Sequence, residues 1–493
     1  MTTKRSSSML MNILSTRLGK VRGHNNDDTN VYLGLRYGEP PTGKRRFLAP
    51  TMASSWQGTF NATLFPDRAV QPKKTESTLG LKANGNMSED CLFLNVVTPE
   101  QTSEPCPVLV WFHGGGFQNG SANEYDGTVL ARQGEVIVVT VNSRLGSFGF
   151  LDLSCFGDAY KGSASNGFRD QILALQWIRD NIEDYGGDPN NITLFGQSSG
   201  GSSVLSLLAA PTADGLFHKA IAHSATVAYK PSEDKTERVA KKLEMAQDDC
   251  LARLLDMPAE DIVDLGLGAG VTVDGTVITR STYDAIVERG SSGVPLIVGS
   301  TLTEGTLYTR GNDDPLDHYP GLNNLLAKDM LCGKDPALYI TALQKAYPNA
   351  TAGKVHEMIW TDMFRCTSIN AAELSSAAGV GGWLYRFDLP ANKVEWKNLG
   401  VPHAAEMAFT FNTFANPDTY AYAFHDRTDP TVREVAENWS NTIIQMARTG
   451  QPNNGGLPWW SIYDSSSRDC LIVDRHSRVE SDPDRVHRKL WGN

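Results

Sequence analysis

The sequence predicts an α/β fold in which a large, mostly parallel central sheet is flanked by helices, and three observations carry that reading. Strand-like and helix-like segments alternate through the middle of the chain, which is the pattern of parallel strands joined by helical crossovers. The runs "PVLVWF" (107–112) and "VIVVTV" (136–141) are apolar almost without interruption, as strands buried on both faces are. Finally, "ITLF" (192–195) passes through a glycine-rich turn into "SGGSSVLSLLAA", a run of small residues and leucines suited to a closely packed helix.

The remaining elements follow the same logic. In "DQILALQWIRDNI" (170–182), Ile172, Leu173, Leu175, Trp177 and Ile178 recur at helical spacing. Further strands are expected at 295–299, 383–387 and 470–474, and a long helix over 431–448. The polar segment 71–88 and the stretch 233–275 read as excursions away from the sheet. There is no internal repeat and no low-complexity segment. Length alone would allow about three domains, but one oversized sheet accommodates the alternation, so residues 1–493 are read as a single domain.

Composition narrows the class. The chain has 493 residues, 40% hydrophobic and 20% charged, as is ordinary for a globular protein. A net charge of −11 with no basic tract argues against a nucleic-acid partner. The apolar run "MLMNIL" near the start is too short and polar for a secretory leader, and no stretch approaches the roughly 18–20 apolar residues of a membrane span. Seven cysteines are scattered at 91, 106, 155, 250, 332, 366 and 470, with no CxxC pair. That distribution predicts reduced thiols rather than a disulfide frame or zinc site, and a cytoplasmic location. Oligomeric state is not legible.

Ser198 lies in Gly196-Gln197-Ser198-Ser199-Gly200, between strand and helix. A nucleophile elbow needs a serine in a strained conformation with small neighbours, so that the hydroxyl stands above the sheet edge. The competing reading is a glycine-rich turn that merely lets the helix pack closely. A second element favours the elbow. His113-Gly114-Gly115-Gly116 directly follows the strand at 107–112, and successive glycines leave backbone N–H groups uncovered, as an oxyanion hole requires. Gly115 and Gly116 would donate two N–H groups and Ser199 a third. A phosphate cradle is disfavoured because neither GK[ST] nor GxGxxG accompanies the triplet.

A serine needs a general base oriented by a carboxylate. Eight histidines follow Ser198: His218, His223, His318, His356, His403, His425, His476 and His487. His403 follows the strand at 383–387, and Glu304 lies just past the strand at 295–299. Position alone does not choose among the alternatives.

These residues fall within a longer series that resembles the type B carboxylesterase and cholinesterase-like family of the α/β-hydrolase fold. The series runs from "YLGLRYGEPPTGKRRFLAP" and "SEDCLFLNV" through "VLVWFHGGGFQNGS", "VNSRLGSFGFL" and "SNGFRDQILALQWIRDNIEDYGGDPNNITLFGQSSGGSS". It continues with "VPLIVGSTLTEG" and "VPHAAEMAFTF", and ends with "ARTGQPNN" and "PWW". The resemblance implies Ser198 as nucleophile, Glu304 as acid, His403 as base, and Gly115, Gly116 and Ser199 as oxyanion donors. It also implies a small-molecule ester substrate and no cofactor or metal. Gln197 and Glu406 are expected to stand just behind these groups.

The departures from the family are informative. The family usually has glutamate before the serine and alanine after it, where this chain has Gln197 and Ser199. Gln197 removes a negative charge beside the nucleophile, and 71–91 contains no aromatic residue to stack a quaternary ammonium. The resemblance is therefore read as excluding a cholinesterase and favouring neutral, fairly apolar esters, among them secondary metabolites or xenobiotic esters and lactones. Cys91 matches a half-cystine of secreted relatives, but its partner position near "DRAVQ" holds no cysteine, so 71–91 is expected to be less tightly pinned. Two alternatives remain: an acyltransferase or cyclase using the same triad, and a catalytically idle interaction protein on the same scaffold.

Overall fold

The computed structural model describes residues 11–26, 28–73, 85–227, 236–267, 270–309, 334–416 and 424–492. A sheet of 13 strands among these residues organises the molecule. Its central run is parallel, in the spatial order Ile137–Val141, Cys106–Phe112, Gly187–Gln197, Lys219–His223, Leu296–Thr301, Gly382–Phe387 and Asp469–Val473. Antiparallel strands extend it at both ends: Phe93–Pro99, Thr29–Arg36, Gly19–Asn26 and Met11–Thr16 at one, Arg478–Ser481 at the other.

The apolar runs are continuous because each strand feeds two cores. Val108, Val110 and Phe112 pack with Phe168, Ile172 and Leu175 of the helix Asn166–Asn181. Their alternates Leu109 and Trp111 pack with Trp439 and Ile443 of the helix Pro430–Thr449. Side chains of a strand alternate between faces, so burial on both removes the polar positions that would mark the alternation. The helix expected at 431–448 thus extends one residue further at each end, while the one expected at 170–182 begins four residues earlier, at Asn166.

The stretch 233–275 does leave the sheet where it is described. Its helices Thr236–Leu243, Cys250–Asp256 and Ala259–Asp264 build a separate cluster in which Val239, Cys250, Leu254 and Ile262 pack with Phe47 and Phe148. Most of the segment expected to be loosely pinned, residues 74–84, lies outside the described residues. One long element was not predicted. The helix Ala352–Ala377 is buried on most of its surface and includes His356, Asp362 and Arg365. Burial all round erases the amphipathic stripe by which a helix is recognised. No helix among the described residues is long and apolar enough to cross a membrane.

Candidate functional site

Parallel strands place their carboxyl ends on one edge of a sheet, and open α/β sheets present their chemistry there. Here the segments leaving five adjacent strands meet. They carry the glycine triplet after Phe112, Ser198 after Gln197, Ser224 after His223, Glu304 after Thr301, and His403 in the segment beyond Phe387.

Ser198 is held at φ 57°, ψ −127°, a region a residue with a Cβ enters only under constraint. The constraint is visible. Its N–H donates to the His223 carbonyl at 2.9 Å, and its carbonyl accepts the N–H of Ser202 at 2.8 Å as the helix Ser199–Leu207 begins. The glycines around it leave room for this turn. A Cβ on Gly196 would strike the Gly200 carbonyl, and a Cβ on Gly200 would strike that of Phe112. Ser198 itself is half-buried, while Ser199 is buried.

The glycine triplet packs against this turn. A Cβ on Gly114 would lie 3.1 Å from the Ser198 Cβ and 3.0 Å from both the Gln197 carbonyl and Oε1. Gly115 and Gly116 both take positive φ, 113° and 63°. The loop is closed by Gln71, whose amide accepts from the Gly120 N–H at 3.0 Å and donates to the Gly120 carbonyl at 3.1 Å. Ser199 is the first residue of its helix, where N–H groups have no partner within the helix. Gly114 thus abuts the Ser198 turn, with Gly115 and Gly116 next along the loop and Ser199 directly after Ser198.

His403 is buried, with Nδ1 on Glu304 Oε2. The Phe364 ring stacks on the imidazole at 4.7 Å, and Tyr308 tilts against it at 5.5 Å. Glu304 is fully buried, and its other oxygen accepts from the Thr301 N–H at 2.7 Å and the Ser224 hydroxyl at 2.5 Å. A carboxylate fed by those donors is an acceptor, so the proton between it and His403 sits on Nδ1. With the proton on Nδ1, Nε2 is the acceptor nitrogen. It faces Nε2 of Gln197 at 3.0 Å, and the amide donates. Among the described residues no hydrogen bond joins His403 to the Ser198 hydroxyl.

Behind the pair lies a second buried carboxyl. Glu406 Oε1 stands 3.4 Å from the Ser224 hydroxyl, and its Oε2 has no hydrogen-bond partner among the described residues. Burial, and then the charge of Glu304, push the Glu406 carboxyl up to about 8. A second buried carboxyl on the same hydroxyl disfavours the charged form of Glu406. His223, whose Nδ1 meets the Tyr385 hydroxyl at 2.6 Å, is held neutral by burial, its value lowered to about 3.

Residue reading missed Ser224, Thr301 and Phe364. Ser224 was open to detection, because it stands immediately past a strand end, as Ser198 does. Phe364 belongs to the helix whose pattern was invisible. Of the seven described histidines downstream of Ser198, His403 is the one paired with Glu304, whereas His487 pairs with Asp362 at 2.9 Å elsewhere; His318 lies outside the described residues. No cluster of metal-ligating side chains occurs among the described residues. The arrangement offers a strained hydroxyl, an imidazole with a carboxylate on one nitrogen, and a glycine loop packed against the turn that carries the hydroxyl.

Comparison with known proteins gives concordant results. The sequence profile of the carboxylesterase family matches residues 11–491. A para-nitrobenzyl esterase of Bacillus subtilis is 34% identical, covering 98% of each chain. A medium-chain fatty acyl-CoA hydrolase precursor of Anas platyrhynchos is 31% identical over 92% of this chain and 87% of its own. Among solved structures, a para-nitrobenzyl esterase superposes with a TM-score of 0.85 at 31% identity, covering 98% and 99% of the two chains. A Geobacillus stearothermophilus carboxylesterase at pH 6.2 gives 0.81 at 32% identity, covering 97% and 99%.

Proposed function

Since the chain belongs to the carboxylesterase family, with the α/β-hydrolase fold and carboxylic ester hydrolase activity, we propose that Ser198, His403 and Glu304 are its nucleophile, base and acid. His403 Nε2 takes the Ser198 proton as the oxygen attacks the ester carbonyl. Glu304 keeps the proton of Nδ1 in place and steadies the imidazolium that forms. The tetrahedral oxyanion is received by the N–H groups of Gly115, Gly116 and Ser199, donors that need no reorganisation when charge develops. His403 returns the proton to the departing alcohol, and water repeats the sequence on the acyl-enzyme.

The observation that supports this reading most strongly is the strained conformation of Ser198 at a strand end, beside a buried His403–Glu304 pair brought from two other strands. The substrate we propose is a neutral, fairly apolar ester, including esters and lactones of secondary metabolites or xenobiotics. Its support is that the residue before the serine is an uncharged amide, and that aromatic rings of Phe364, Tyr308 and Trp360 gather beside His403.

The test is hydrolysis of p-nitrophenyl acetate, butyrate and octanoate by wild type and Ser198→Ala, with intact mass after a sulfonyl fluoride. Turnover and a single adduct are expected in the wild type. Both are expected to vanish in Ser198→Ala, with kcat down about 10⁶-fold. An adduct without turnover would point to acyl transfer instead. Neither adduct nor turnover in folded protein would leave only the idle scaffold.

A further inference from the structure

Among the described residues, Gln197 is the side chain hydrogen-bonded to Nε2 of His403. Its amide is buried, at the end of the strand Gly187–Gln197. One end donates to His403 Nε2 at 3.0 Å, while Oε1 and the Gln197 carbonyl lie against Gly114. The side chain therefore bridges the base and the loop in which the oxyanion donors stand.

Resting on the triad reading above, we propose that Gln197 is a latch on the base: it holds Nε2 of His403 away from Ser198 and is displaced when a substrate carbonyl seats in the glycine loop. Nε2 has one lone pair, so the amide N–H and the serine O–H compete for it. While Gln197 holds it, Ser198 remains an ordinary hydroxyl. A carbonyl entering the glycine loop displaces the amide, whose Oε1 lies 3.0 Å from where a Gly114 Cβ would stand, and frees Nε2 to accept the Ser198 proton. Gln197 is thus a positioning residue, acting on the reaction through His403.

Charge at this position would reverse the sign of the contact. A carboxylate cannot donate to Nε2, so Gln197→Glu favours the protonated imidazole. The groups already facing His403 are Glu304 on Nδ1, the Phe364 ring on one side and Tyr308 on another. Glu406, on its own segment, reaches Glu304 through Ser224. None of these contacts Nε2, so a change at Gln197 acts on that nitrogen directly.

The experiment compares wild type, Gln197→Glu, Gln197→Met and Ser198→Ala, each checked for an unchanged thermal midpoint. It measures the pH profile of kcat/KM for p-nitrophenyl butyrate and the second-order rate of inactivation by a sulfonyl fluoride. For Gln197→Glu the acid limb is expected to move up by about one pH unit, as a new opposite charge beside a titrating base does. For Gln197→Met, which fills the same space without an N–H, inactivation is expected to quicken about fivefold, the weight of one hydrogen bond. A Gln197→Glu profile superimposed on the wild type, or a Gln197→Met rate equal to or below it, overturns the latch. Those failures differ from failure of the triad reading, which would appear as activity surviving in Ser198→Ala.

Discussion

At Gly200 a single hydrogen atom decides whether the elbow can form. A methyl there would run into the Phe112 carbonyl oxygen, which belongs to a central strand and cannot retreat without breaking the sheet. Gly200→Ala is therefore expected to cost about 2–4 kcal/mol of stability, in the range of overpacking and backbone strain. Urea denaturation reads this directly, and an unchanged midpoint would mean that the turn is looser than described. Glu406 makes a different residue-scale prediction. In the fold it stays protonated up to about pH 8, whereas its ordinary value is 4.5. Between those values the unfolded chain binds fewer protons than the native one, so this group lowers stability as pH rises from about 4.5 to about 8. Glu406→Gln removes that slope. Its thermal midpoint relative to wild type should rise across this window and level off above it. A difference independent of pH would show that Glu406 is ionised throughout.

At the scale of elements, the helix Asn166–Asn181 is tied to the chain that leaves the strand Ile137–Val141. Arg144 and Asp170 are both buried, the guanidinium bonded twice to the carboxylate at 2.7 and 2.8 Å and the Arg144 N–H once at 3.0 Å, and Arg144 also donates to the Leu48 carbonyl at 2.8 Å. Removing one partner strands the other charge, so Arg144→Met is expected to lose about 3–5 kcal/mol. The double variant Arg144→Met, Asp170→Leu should recover much of it, which a double-mutant cycle by urea melts would measure. Elements were the scale at which sequence was most readable. The strands at 107–112 and 136–141 announced themselves because both faces are buried. The helix Ala352–Ala377 did not, since His356, Asp362 and Arg365 are buried with the apolar residues and no polar face remains. The same contrast holds in the site. Ser198 and the glycines were legible from local chain chemistry, as turns and small residues. The contact between Gln197 and His403 joins positions 206 residues apart through one rotamer, and nothing local encodes it.

For the whole molecule, the parallel strands are neighbours in space but are connected by long crossovers, so most sheet contacts are distant in sequence. Such topologies fold slowly, because loop closure must precede the contacts that reward it. We expect esterase activity to return only in the slowest phase of refolding, behind tryptophan fluorescence, as stopped-flow traces with a p-nitrophenyl ester would show. Activity arriving ahead of fluorescence would mean that the site assembles on a partial sheet. The thiols offer a second global check. Cys155 is exposed, while Cys91, Cys106, Cys250, Cys366 and Cys470 are buried. Brief native alkylation followed by peptide mapping should label Cys155 ahead of those five, and equal labelling would indicate breathing of the core.

The spacing along the chain also sets a clock for the newborn protein. At about 5–20 residues per second of synthesis, the 206 residues between Gln197 and His403 take about 10–40 s to emerge. On the triad proposed above, for that interval the ribosome displays a serine without its base, and the growing polypeptide is expected to be chemically silent toward esters around it. Esterolysis is expected only once His403 has emerged and the sheet has closed over it.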